Sequence, residues 1–295
     1  MHSIEILEIN FRKWIPETMA ECSREQYLDM AKLVLMYQMA EINLREFRVL
    51  AFYSLMGMVP EKGMFEVEEE EKWENIYRAS EVLDSFFTLG EDGKMHLVQD
   101  YIHNPVKSVE YLKMTFRGPK DSFEGMTYGE LEDGIGELNN FLRYGEIESL
   151  VKLFAIFYRR PNERYVHIEK NLEKRVKFFR HLDIRYVYGF YLLFVSFFNY
   201  LRNNCVVVVD GNELDLTLLF QPGENQEKPA EGDPETLGLR ATSFQLAESG
   251  VFGTLPELRT SDAMMVLVRM HDLMMRAKAE EKQRKKIEEE QNQKR

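Results

Sequence analysis

Two cysteines in 295 residues, Cys22 and Cys205, are too few and too far apart for a disulfide scaffold. The N-terminus, MHSIEILEI, lacks the basic stretch and apolar run of a secretion signal. Both cysteines are therefore expected to be reduced core residues of a cytoplasmic protein. No stretch reaches the roughly 20 apolar residues that a membrane span needs. The six histidines, His2, His96, His103, His167, His181 and His271, are scattered without metal-ligand spacing. There is no HExxH, no paired CxxC, no GxSxG and no phosphate-loop glycine pattern. Gly129, Gly134 and Gly136 fall inside a capped helical pattern rather than after a strand. Nothing selects a catalytic carboxylate pair, so the expectation is a non-enzymatic protein with no cofactor and no metal. A formal charge of −12 opposes nucleic acid and anionic membranes over most of the surface.

What is present is an organisation. Asp183 to Leu201, DIRYVYGFYLLFVSFFNYL, interrupts its apolar run between the flanking arginines only at Gly189, Ser196 and Asn199. A helix without a polar face must be covered on all sides, which makes this the expected buried centre of the fold. Ser3 to Phe11 has strand-like alternation, closed by Trp14-Ile15-Pro16. Ser23 with Gln26 has capping-box spacing and opens a helix to about Met39. Asn43 opens a second helix, ended by Gly57 and Pro60, and the two should form a hairpin. Glu66 to Glu74 reads as a solvated loop running into the acidic first turn of a helix that reaches about Phe87. Asp92-Gly93 marks a two-residue turn with Phe87, Met95 and Leu97 in its strands.

From Asp121 the plan of the first hairpin recurs. Thr127 and Glu130 repeat Ser23 and Gln26 at an offset of 104, and Phe157-Tyr158 repeats Phe52-Tyr53 at 105. Duplication and chance likeness of two amphipathic hairpins both account for this. Arg159 to Arg185 holds nine basic residues against four acidic ones. Arg160, Arg164, Lys174, Arg175 and Lys177 are its candidate phosphate-binding residues. The competing reading is the solvated face of a helix whose other face, with Val176 and Phe179, is core.

Cys205 to Phe220 reads as a β-hairpin turning at Asp210-Gly211-Asn212. The unbroken Val206 to Val209 implies burial on both faces. Residues 221–236, rich in Pro, Gly and Glu, read as a flexible linker between a main body, 1–220, and a C-terminal helical segment, 237–295. Thr260-Ser261-Asp262 caps a long helix. Met264, Leu267, Val268, His271 and Met274 form its apolar stripe and are the candidate partner-binding residues, with Met275 extending it. From Arg276 the helix has only alanines and Ile287 as apolar residues, so it is a solvated helix or one that folds on a partner. The fold class is therefore mainly α (α+β), with helical hairpins around a buried central helix, small β-hairpins and a long C-terminal helix.

Three stretches, GPKDSFEGMTYGE, the FYRR that ends the second hairpin, and SFQLAESGVFG, carry a family resemblance. With the order of elements around them, the chain resembles uncharacterised proteins encoded among the tail genes of tailed phages and prophages. By position and build these are similar to the tail assembly chaperones that accompany the tape-measure protein. The resemblance implies an assembly chaperone or tail accessory protein that binds a helical partner such as the tape-measure protein. It would act in the host cytoplasm, with self-association left open. The alternatives are a structural tail protein of the virion and a nucleic-acid-associated protein using residues 159–185.

Overall fold

The computed structural model describes residues 1–6, 11–58, 70–90, 93–165, 169–220, 239–248 and 250–293. Its centre is helix α7, Ile184–Asn203, whose N-cap Asp183 accepts from the Arg185 amide at 3.0 Å. No helix among the described residues is long and apolar enough to cross a membrane. Instead α7 is wrapped by protein. Helix α1, Arg24–Gln38, lies along one side, and helix α5, Ile147–Phe157, along another. Gly189 lets α1 approach: a Cβ there would lie 3.1 Å from the Tyr27 ring. The Tyr27 hydroxyl donates to the Gly189 carbonyl at 2.7 Å and lies 3.0 Å from the Tyr101 hydroxyl. On the α5 side, Phe154 and Phe157 meet Phe190 and Phe194, and Phe123 stacks on Phe197 with ring centres 4.2 Å apart.

The two helical hairpins form as their capping residues require. Ser23 and Gln26 close a capping box on α1, and Asn43 and Glu46 on helix α2, Leu44–Met56, which stops at left-handed Gly57. Thr127 and Glu130 do the same for helix α4, Tyr128–Tyr144, with left-handed Gly145 leading into α5. The pairs are not used alike, because the first helix of one and the second helix of the other lie along α7.

Among the described residues, four two-stranded antiparallel sheets decorate this core. Strands β1, His2–Ile6, and β2, Phe11–Ile15, pair with His2 opposite Ile15, so the single strand read over 3–11 is a hairpin, and Trp14 and Ile15 belong to its second strand. Leu7 and Ile9 lie outside the described residues. Helix α3, Glu70–Ser80, is shorter than expected. The Ser80 hydroxyl donates to the Tyr77 carbonyl at 2.8 Å, and the chain tightens into a 3-10 turn, Glu81–Phe86. The first four residues of the acidic run, 66–69, are outside the described residues. Strands β3, Phe87–Leu89, and β4, Met95–Leu97, are joined by five residues rather than two, closed by a Gly90 to Lys94 backbone bond of 2.8 Å.

Strands β5, Ser108–Tyr111, and β6, Met114–Arg117, were not expected from the sequence. Their turn residues, Leu112 and Lys113, are both left-handed without being Gly or Asn. Helix α6, Glu169–Phe179, buries Val176 and Phe179 against α5. Strands β7, Val206–Val209, and β8, Asn212–Asp215, turn at Asp210-Gly211, with Asn212 already paired to Val209. Val206 and Val208 are 50% and 68% exposed, which overturns the expectation of burial on both faces. A two-stranded sheet consists of edges, and only the Val207–Leu214 face packs on the core. The expected second strand ends at Asp215, whose carboxylate takes the Thr217 amide at 3.0 Å and starts a 3-10 turn, Leu216–Phe220. The stretch read as a linker lies outside the described residues up to 238.

Beyond it come α8, Leu239–Glu248, α9, Leu255–Thr260, and α10, Ala263–Gln293. These helices are docked, not separate: α9 and α10 lie on α4, and α10 also packs on the 216–220 turn. Cys22 and Cys205 are free and buried, and burial pushes the Cys22 thiol up to about 12.

Two predictions follow from the packing. Gly134 faces α7, where a Cβ would sit 2.8 Å from the Phe194 ring, while Gly136 on the outer face has nothing within 4 Å. Gly134→Ala should overpack the core and cost about 1–3 kcal/mol. Gly136→Ala should stabilise by about 0.4–1 kcal/mol, so urea melts of the two variants should move in opposite directions. The second prediction concerns alkaline pH. Burial raises the pKa of Tyr27, Tyr101, Tyr158 and Tyr188 above the ordinary 10.0. A raised folded-state pKa contributes stability that is whole below the unfolded pKa and lost as pH rises toward the folded value. Denaturant midpoints should lose this contribution above about pH 10, and these phenols should ionise only as the chain unfolds.

Candidate functional site

The densest polar chemistry lies at the start of α4. Glu130, Glu132 and Asp133 are charged residues in the first two turns of the helix, where the macrodipole favours them, yet all are largely buried. Glu130 takes the Thr127 amide at 2.8 Å and Arg159 Nη1 at 2.5 Å. Arg159 also donates to the Ile156 carbonyl at 2.9 Å, and its guanidinium lies 5.5 Å from the Tyr165 ring centre. Arg259 of α9 forks across Glu132 and Asp133, at 2.5 Å to the latter. Glu132 accepts from the Ser243 hydroxyl at 2.8 Å, and Ser243 lies 3.2 Å from the Tyr128 hydroxyl. Asp133 accepts from the Tyr165 hydroxyl.

This cluster fastens the C-terminal helices to the body. Gly129 makes it possible, because a Cβ there would lie 2.9 Å from the Arg259 carbonyl oxygen. Burial, then the charge of Asp133, raises the Tyr165 pKa well above its ordinary value, so the phenol stays a donor. Burial works to lower the Arg259 pKa, but Asp133 and Glu132 outweigh it and leave it raised. The groups are bonded to one another as a structural lock.

The candidate phosphate residues do not converge on one surface. Arg175 pairs with Glu163 at 2.7 Å, while its Nε and Nη2 are buried without a partner among the described residues. Lys174 and Lys177 are exposed on α6, and Arg164 is exposed in the loop before it. Arg160 lies on the rim of a separate cleft, with Nη2 3.0 Å from the Met114 sulfur. Among the described residues, four of the nine cations in 159–185 have a carboxylate partner: Arg159, Arg175, Arg180 with Glu148, and Arg185 with Asp29 and Asp183.

The α10 stripe is turned from its expected position. Leu267 and His271 are buried, but the other inward residues are Ala263, Val266 and Met270. Met264, Val268 and Met274 are half-buried, and Met275 is exposed. The cause is the entry to the helix. Backbone bonds from Tyr128 to Ser261 and from Ala263 to Met126, both 2.9 Å, fix the rotation of α10 at its start.

Among the described residues no three His, Cys, Asp or Glu side chains are grouped to hold a metal. A second cleft of about 400 Å³ lies between α1 and the β3–β4 hairpin, lined by Tyr37, Gln38, Lys94 and His96 among others. Sequence reasoning missed the α4 lock, because nothing in the helical pattern singles out Glu132 and Asp133. The one available signal was the Thr254–Glu257 capping box, which announces α9 and with it Arg259.

Removing one partner of a buried ion pair costs about 3–5 kcal/mol, mostly from the uncompensated charge. Arg259→Ala should lose stability on that scale in urea melts. Adding Glu132→Gln should recover part of it, because one stranded charge is then gone. Comparison with protein-family models, with curated proteins and with solved structures gives no match.

Proposed function

We propose that the protein is a non-enzymatic assembly factor of a phage tail, a chaperone or tail accessory that binds a helical partner such as the tape-measure protein. The observation that carries this reading is the outer part of α10. From Met275 to Glu289 every residue is exposed, in a helix that continues without a break from the docked part. Its support is limited to spaced ion pairs such as Arg276–Asp272 at 3.0 Å and Lys285–Glu281 at 2.8 Å. Each such pair is worth about 0.3–0.5 kcal/mol, so the projecting turns gain little from the body. A long helix presented this way suits pairing with another helix. Met265 and Met275 are exposed along it and add an adaptable apolar contact.

The resemblance of GPKDSFEGMTYGE, FYRR and SFQLAESGVFG to tail-cluster proteins supplies the biological setting. The surface that would engage the partner is therefore Met265, Met275 and the helix beyond, since Leu267 and His271 are already covered. A nucleic-acid role for 159–185 is the weaker reading, because four of its cations are paired within the chain.

The test is truncation at two places. Ending the chain after Met275 should leave the melting transition almost unchanged and abolish co-purification with a co-expressed tape-measure protein. Ending it after 238 should also destabilise the body, since Leu246, Leu258, Val266 and Leu267 leave the core. Normal partner binding by the first truncation would sink the proposal.

A further inference from the structure

A cleft of about 210 Å³ opens between residues 117–126 and 157–163. Its walls are joined by backbone bonds between Arg117 and Arg159, of 2.7 and 3.1 Å. Behind them Gly118 is pressed on the Tyr158 ring, where a Cβ would come within 2.5 Å, and the Tyr158 hydroxyl donates to the Val106 carbonyl at 2.5 Å. The cleft is thus built on fixed backbone, and binding there orders little that is not ordered already.

Its charges do not cancel. Arg117, Lys120, Arg159 and Arg160 line it with Glu124, Glu130 and Glu163. Each carboxylate has a cation of the chain: Glu130 has Arg159 at 2.5 Å, Glu163 has Arg175 at 2.7 Å, and Glu124 has Lys120 at 3.5 Å. Arg117 and Arg160, from opposite walls, have no carboxylate partner among the described residues. Arg175 neutralises Glu163 from outside the lining, so the two unpartnered arginines leave two positive charges over the cleft. A carboxylate lodged between them meets both, and an organic acid, unlike inorganic phosphate, also brings methylene groups. Phe123, Met126 and Phe157 supply an apolar surface for a few methylene groups. The volume is below that of an ordinary cofactor site and suits one side chain or a small acid.

We infer that this cleft is a carboxylate-binding site, in which Arg117 and Arg160 hold the carboxylate of an acidic side chain or of a small organic acid. It stands apart from α10 and does not rest on the tail reading. The planar forks of the two arginines match a carboxylate in two-point contact.

The experiment titrates the isotopically labelled full-length protein with N-acetylglutamate α-amide and follows backbone amide shifts by NMR. Saturable shifts confined to 117–126 and 157–163 are expected, with none from the glutamine counterpart and weaker ones from inorganic phosphate. Arg117→Ala and Arg160→Ala should each weaken binding about tenfold, the scale of one charged hydrogen bond. Both side chains are exposed, so an unchanged melting temperature of each variant serves as the folding control. A short alanine peptide carrying one glutamate separates the sources: tighter binding than the single amino acid assigns a protein segment, and equal binding assigns a small acid. An equal response to the glutamine compound, stronger binding of phosphate, the absence of saturable shifts, or full binding by the double variant would each overturn the site.

Discussion

Everything in this fold answers to a helix that has no polar face. Once α7 forms, each side of it must be covered, and each polar group carried inward must be met. Burying one large apolar side chain is worth roughly 1.5–3 kcal/mol, and stranding one buried polar group costs about 1–3 kcal/mol. The two magnitudes are comparable, so the few polar atoms on α7 constrain the structure as much as its phenylalanines do. Ser196 both donates to the Tyr101 carbonyl and accepts from the Tyr101 amide at 2.7 Å. Gly189 offers its carbonyl to Tyr27. The segment that lies over this side has no regular structure, and it stays there because side chains satisfy its backbone. Asn104 reaches the Pro119 carbonyl at 2.7 Å and the Val106 amide at 2.9 Å, while Asp121 takes the Asn104 amide at 2.9 Å.

The C-terminal helices are attached by a different logic. Leu258, Val266 and Leu267 supply apolar burial, which is not directional. Arg259, held by Glu132 and Asp133, specifies where that burial occurs. A buried ion pair is close to neutral for stability against an apolar replacement, but it penalises every register that separates the partners. With Gly129 admitting the α9 backbone at one place only, the docking of 239–273 is defined by sterics and charge together. The same docking takes Leu267 and His271 out of reach of any partner.

Where local chemistry decided the structure, the sequence was legible. The helix starts read at Ser23, Asn43 and Thr127 lie where they were expected, because each cap is satisfied within four residues. The central helix was legible because nothing else accommodates such a run. Where distant contacts decided, reading failed. The phase of α10 was misjudged because its rotation is set by hydrogen bonds to residues 126–128. The exposure of Val208 follows from a sheet that has two strands among the described residues, which composition does not reveal. The β5–β6 turn carries Leu112 and Lys113 where Asn-Gly would have announced it. Of the candidate site residues, Arg160 lines the 117–163 cleft but its counterpart Arg117 lay outside the basic segment. The lock on α4 was illegible for the same reason, since its partners are more than a hundred residues apart.

The division of α10 into a docked part and a free part has its own physical basis. An isolated helix of this length is marginal in water, chiefly because the first turn is costly to form. The docked turns from Ala263 to Leu273 are held by packing, so the free turns need only propagate. Ala, Glu, Lys, Arg and Gln, which dominate 276–293, are the residues that propagate best. Charge order works the other way. Lys and Arg come first, and Glu288 and Glu289 lie in the last turns described, where the macrodipole disfavours negative charge. Propagation and the docked nucleus therefore extend this helix against the charge arrangement at its end. The cost of that arrangement is largest in the final turns, so the helix should fray from its C-terminus inward and stay firm near Met275.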